Sequence, residues 1–175
     1  MQHLWAPWRM DYIQGQAGRP PDGECVFCWA ARQAEDGPEN LVVVRGRHNY
    51  VILNRFPYTG GHLMVVPYAH VADLTALSAA ARAEMMDLAS EAVAILRAEY
   101  RPQGFNLGMN LGRVAGAGIA EHVHLHVVPR WAGDTNFMTT VGQVRVLPEA
   151  LEQTYARLRA AWQRRRAAQT ASTTE

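Results

Sequence analysis

The chain has 175 residues, 49% of them apolar, and a formal net charge of +1 at pH 7. That is enough for one compact domain with a real core, and the scattered basic residues exclude a footprint for bulk nucleic-acid binding. No apolar run approaches the ~20 residues that span a bilayer, no hydrophobic signal region follows Met1, and two cysteines spaced C-x-x-C do not make a disulfide framework. The expectation is a cytoplasmic globular protein with neither nucleic acid nor membrane among its partners.

Residues 1–24 read as an irregular N-terminal arm, whose Trp5 and Trp8 are expected to pack on the body or on a partner subunit. Cys25-Val26-Phe27-Cys28 follows, then a short helical piece from Trp29 to Ala34, stopped by Asp36-Gly37-Pro38. Leu41 to Val44, His48 to Leu53 and His62 to Pro67 are β-rich runs, separated by Arg45-Gly46-Arg47 and by a loop from Asn54 to Gly61. Successive hairpin-like connections imply antiparallel pairing.

Ser78 is a suitable N-cap for a long helix reaching Tyr100. Met85, Leu88, Ala92, Ile95 and Leu96 share one face of it, and Met85 and Met86 read as core filler. Pro102 and Gly104 close the helix, and Phe105, Leu107, Met109 and Leu111 alternate as a half-buried strand does. A glycine-rich loop, Gly112 to Gly118, leads into Glu121-His122-Val123-His124-Leu125-His126-Val127-Val128-Pro129. Residues 130 to 146 read as an ordered loop with one short strand near Val144. An amphipathic helix from Leu147 to about Arg166 carries Leu151, Tyr155, Leu158 and Trp162, and its Arg164-Arg165-Arg166 is a solvated helix end. The small, polar residues 167–175 are expected to be a disordered tail. The fold class is α+β: one domain, residues 25–166, with an antiparallel sheet of about five strands covered by a long helix and a C-terminal helix.

The histidine strand carries the chemistry. Side chains two apart along a strand share a face, so His122, His124 and His126 point one way while Val123, Leu125 and Val127 face a core. Three imidazoles on a face serve either as a metal site or in nucleophilic attack on phosphorus, with one ring's tautomer fixed by a hydrogen bond. Strictly alternating imidazoles fan along the strand rather than converge, which favours nucleophilic use. The loop before them, with Gly116 and Gly118, offers a backbone that an anion could approach closely. Neither a Walker loop nor a dinucleotide fingerprint is present. Cys25 and Cys28 are half of a zinc site, with His70 and His122 as candidates for the other half. A redox pair or two buried thiols remain open alternatives.

With these residues in hand, the chain resembles the histidine-triad nucleotide-binding family. His122 to Val128 matches the H-x-H-x-H signature in full, and the likeness runs from about Cys25 to Asn136. Asn54-Arg55-Phe56-Pro57 with Gly61-His62 resembles the ribose-holding segment, and Val66-Pro67-Tyr68-Ala69-His70 the lead into the long helix. The opening Leu4-Trp5-Ala6-Pro7-Trp8-Arg9-Met10 and the later Pro129 to Phe137 resemble a bacterial branch near the diadenosine tetraphosphate phosphorylases. The resemblance implies cleavage of a phosphoanhydride in a dinucleoside polyphosphate through a covalent nucleotidyl-histidine, with His124 as nucleophile and His122 and His126 assisting. It places Phe27 near the base, Asn54 on the ribose and Asn110 on the phosphate or leaving group. It also implies structural zinc on Cys25, Cys28, His70 and His122, no organic cofactor, and a homodimer. Related members cleave nucleoside phosphoramidates or bind nucleotides without turnover. One departure stands out: many members carry a hydroxyl for the α-phosphate shortly before the triad, where this chain reads Gly118-Ile119-Ala120. That leaves the acceptor, phosphate or water, open.

Overall fold

The structure, a computed structural model, describes residues 20–135 and 148–172. The expectations for Trp5, Trp8 and a strand near Val144 lie outside them.

The β-branched runs form the strands expected of them. β1 (Val42–Arg45), β2 (Asn49–Leu53) and β3 (Leu63–Pro67) are buried almost throughout. β4 (Gly104–Gly108) and β5 (Leu125–Arg130) complete one sheet of order β1-β2-β3-β5-β4, every pair antiparallel. The histidine-bearing strand therefore lies inside the sheet, between β3 and β4. Its ladder begins at Leu125, later than the sequence pattern implies, and His122 sits in a bend just before it.

α2 (Ala79–Tyr100) is capped at Ser78, whose Oγ accepts from the Ala81 amide at 3.1 Å, a bond worth about 1 kcal/mol. Met85, Leu88, Ala92, Ile95 and Leu96 are buried in the same core as Val123, Leu125 and Val127, so the apolar stripe of the histidine segment faces the helix layer. Met86 corrects the core assignment: one residue on from Met85, it is rotated off the buried face and is 56% exposed. Glu84 ties the helix to the β1–β2 turn by accepting from the amides of Arg47, His48 and Asn49 at 2.6, 2.7 and 2.8 Å. Burial alone would raise its carboxyl, but the bond from the Arg47 amide leads a set that holds it below the usual range.

Two helix boundaries differ from expectation. α1 runs Val26–Arg32 rather than 29–34, because burial of Phe27 and Ala30 on one face fixes the turn earlier. Cys25 thus stands at its N-cap and Cys28 in its first turn. α3 runs Leu151–Ser172, through much of the expected disordered tail: Ala167, Ala168 and Gln169 are good helix formers and nothing after Arg166 breaks the pattern. Leu107, expected to be half-buried, is 43% exposed, because β4 is an edge strand of the sheet, and Leu111, 41% exposed, lies beyond the end of β4 at Gly108.

Candidate active site

On the sheet face away from α2, backbone carbonyls assign the protons of the triad. His122 Nε2 lies 2.8 Å from the Pro67 carbonyl. A carbonyl only accepts, so Nε2 carries the proton and Nδ1 keeps its lone pair. His124 Nδ1 lies 2.8 Å from the carbonyl of His122. By the same logic its proton is on Nδ1 and its lone pair on Nε2. Burial lowers the affinity of the His124 ring for a second proton, although the His122 carbonyl works in the other direction.

His126 is fixed by a residue that the sequence reading left without a role of its own. His62, wholly buried at the start of β3, accepts the Tyr58 amide at its Nδ1 (3.1 Å) and lies 3.0 Å from His126 Nδ1 through its Nε2. His62 therefore donates from Nε2, His126 accepts at Nδ1, and the His126 proton stands on Nε2. Burial, then the neighbouring His124, pushes His126 down to about 4, so it is neutral at physiological pH. Only the pairing of Met64 with His126 brings His62 within reach of the triad. That register is invisible in one sequence.

His124 is 5% exposed, and it forms part of the wall of a cavity of about 410 Å³ together with His126. Phe27, Asn54, Asn110, Gly116 and Gly118 line the same cavity. Phe27 is buried with its ring centroid 4.8 Å from that of His124. Asn54 accepts the Phe56 amide on Oδ1 and sets Nδ2 3.2 Å from His62 Nδ1. Asn110 Nδ2 donates to the Gly116 carbonyl at 3.4 Å. The glycine loop is less open to an anion than expected. The amides of Ala115, Gly116 and Ala117 close turns onto Gly112 and Arg113, and Gly116 holds φ at +91°, where a side chain would be strained.

Beside the triad stands a second cluster. One donor atom each from Cys25, Cys28, His70 and His122 lie within 4.8 Å of one another. His122 Nδ1 is 3.4 and 3.6 Å from the two Sγ atoms, and His70 Nδ1 is 3.2 Å from Cys28 Sγ. A tetrahedral zinc with bonds of 2.0–2.3 Å requires donors roughly 3.3–3.8 Å apart, which these separations approximate. The Pro67 carbonyl supplies the outer bond that orients a ligand imidazole. Burial, then Cys25, pushes the Cys28 thiol up; a divalent cation would reverse this. The motif does open a helix, so that criterion does not separate it from a redox pair; the two converging histidines do. His122 turns toward the cysteines, and among the described residues this is the one group of such donors that could hold a metal. The three triad rings do not form such a group.

A five-stranded antiparallel sheet with a long central and a long C-terminal helix, and a histidine segment whose rings serve distinct partners, define a histidine-triad protein. The HIT domain family model matches residues 37–133, and the chain belongs to that family. It is 41% identical over 169 residues to the AP-4-A phosphorylase of Mycobacterium tuberculosis H37Rv, covering 94% of this chain and 86% of that protein. Among solved structures it is similar to a Zn-bound histidine triad family protein from Mycobacterium smegmatis, with TM-score 0.66, 29% identity, and coverage of 83% of this chain and 97% of that one. A HIT family protein from Bacillus anthracis gives TM-score 0.54 at 30% identity, over 62% and 74% of the two chains.

Proposed function

We propose that this chain is an enzyme that cleaves a phosphoanhydride of a dinucleoside polyphosphate, of the diadenosine tetraphosphate kind, through a nucleotidyl group carried on His124. The observation that carries the reading is the His124–His122 hydrogen bond. It leaves His124 Nε2 as a fixed lone pair within the wall of a cavity of nucleotide size. Attack on the α-phosphorus forms the N–P bond and breaks the P–O bond to the remaining phosphates, which depart with the electron pair. The N–H of neutral His126 Nε2 donates a hydrogen bond to the departing oxygen and stabilises its charge, and the His122 carbonyl steadies the positive charge gained by the His124 ring. Water or phosphate then takes the nucleotide from nitrogen. The 41%-identical AP-4-A phosphorylase supports the substrate class. Phe27 and Asn54 are read as holding base and ribose, and Asn110, with the Gly116–Gly118 stretch, as lying along the phosphates.

Zinc on Cys25, Cys28, His70 and His122 would fix the segment before β5 and supply no chemistry to the reaction. The open edge of β4 and the exposed Met86 support a homodimer that joins strand to strand and long helix to long helix. No helix among the described residues is long and apolar enough to cross a membrane, and the free Cys25 and Cys28 suit a reducing cytoplasm.

Incubation with diadenosine tetraphosphate tests the reading. ADP and ATP formed only with phosphate present mean phosphorolysis, and AMP and ATP without it mean hydrolysis. No nucleotide release under either condition refutes it.

A further inference from the structure

A larger cavity, about 720 Å³, adjoins the one that contains His124, and the two share Tyr58, Asn110 and His126 as walls. It spreads over the outer face of β4 and β5, where Asn106 and Gly108 pair with Val128 and His126. Trp131 bounds it as well, and Tyr100, held by Glu149 at 2.7 Å, is part of its wall.

The geometry points to this second cavity as the seat of the leaving half of the substrate: a nucleoside bearing an oligophosphate tail. The inference deepens the phosphoanhydride-cleaving reading and rests on it. A nucleotide whose α-phosphorus faces His124 must send its leaving oxygen past His126, which donates from Nε2 and is the wall common to both cavities. What departs therefore enters the second cavity. The walls there suit a base and ribose better than a phosphate chain. Arg130 is already gripped by both carboxylate oxygens of Asp134, at 2.6 and 2.7 Å, and by Asn106 Oδ1 at 2.8 Å. Its charge is spent. Trp131 and Val128 offer aromatic and apolar surface. The volume falls in the range of sites that hold small molecules.

Gly108 gives a direct probe. A Cβ built there meets nothing within 4 Å and the backbone is not in the left-handed region, so Gly108→Leu fills the cavity beside His126 without strain. Trp131→Ala, which removes a wall, is the second variant. Each is compared with the unmodified chain on two substrates: diadenosine tetraphosphate, and adenosine 5′-phosphoramidate, whose leaving group is only ammonia. Both variants are expected to lower the ratio of kcat/KM for the dinucleotide to that for the phosphoramidate about tenfold or more, the scale of one lost base stack. An unchanged ratio overturns the inference. Should the unmodified chain cleave neither substrate, the reaction itself is misassigned, and calorimetry decides the subsite alone. Gly108→Leu reducing the affinity for diadenosine tetraphosphate to that for AMP supports it, and an unaltered dinucleotide affinity overturns it.

Discussion

His62→Phe is the substitution that tests the proton assignment most directly. The ring is wholly buried, and it links the Tyr58 amide to His126 through bonds of 3.1 and 3.0 Å. A phenyl ring fills the space but neither accepts nor donates. Two effects follow. The Tyr58 amide loses a partner, which costs about 1–3 kcal/mol if it stays buried, read as a shift in the denaturation midpoint. His126 loses the donor that keeps its own proton on Nε2, and the tautomer with Nδ1 protonated presents a bare lone pair to the leaving oxygen. A fixed donor aimed at the charge developing on a departing oxygen is worth about 10²–10³-fold. Losing tautomer control while keeping the ring should forfeit part of that, about 10–100-fold in kcat on diadenosine tetraphosphate. The loss should be far smaller on an AMP ester of an acidic phenol, whose departing oxygen spreads its charge into the ring and relies less on a donor. His62→Gln, with an oxygen to accept from Tyr58 and an NH₂ to donate to His126, should recover much of the rate. Steady-state kinetics on both substrates, alongside denaturant melts, make the measurement. Equal losses on both substrates, or a Gln variant no better than Phe, would refute the tautomer argument.

Rapid acid-free quenching followed by intact-mass measurement should find a nucleotidyl adduct on the unmodified chain during turnover and none on His124→Ala; an adduct persisting in the variant places the nucleophile elsewhere. Cys28→Ala should abolish stoichiometric zinc by elemental analysis and lower the melting temperature, and zinc retained at full occupancy removes Cys28 from the ligand set. Stability should fall with acid. The folded-state value for His126, about 4, lies below the ordinary 6.5, so between them the unfolded chain binds the proton first. The contribution is full above about pH 6.5 and drains as pH drops toward 4. Urea midpoints at pH 7 and 5 should therefore converge in His126→Asn relative to the unmodified chain, and an unaltered gap contradicts the assignment. Leu107→Glu, at a residue 43% exposed on the open edge strand, should yield a monomer by light scattering if that edge is the dimer seam.

The alternation through His122 to His126, and the helical spacing of Met85 to Leu96, made the sheet, the long helix and the triad legible, because period and burial are local signals. Met86 was misplaced although the same helical period puts it off the buried face, one residue on from Met85; Leu107 was misplaced for the opposite reason. Whether an apolar residue is covered depends on which elements pack beside it, and an edge strand is known only once strand order is known. The same applies to His62, brought to His126 by the β3–β5 register. The cysteine pair was half legible. Its spacing marked half of a candidate ligand set and His70 and His122 stand beside it in the fold, yet the helix that opens at Val26 also fitted the rival redox reading.

The two halves of His122 link the proposed metal ligands to the proposed nucleophile on one short stretch. Its ring turns toward Cys25 and Cys28, with Nε2 held by the Pro67 carbonyl, while its own carbonyl accepts from His124. A rotation of that peptide large enough to free the ring from the cysteines would also move the carbonyl that keeps the His124 lone pair on Nε2. The cysteine–histidine cluster and the His124 ring are therefore coupled through a single peptide unit.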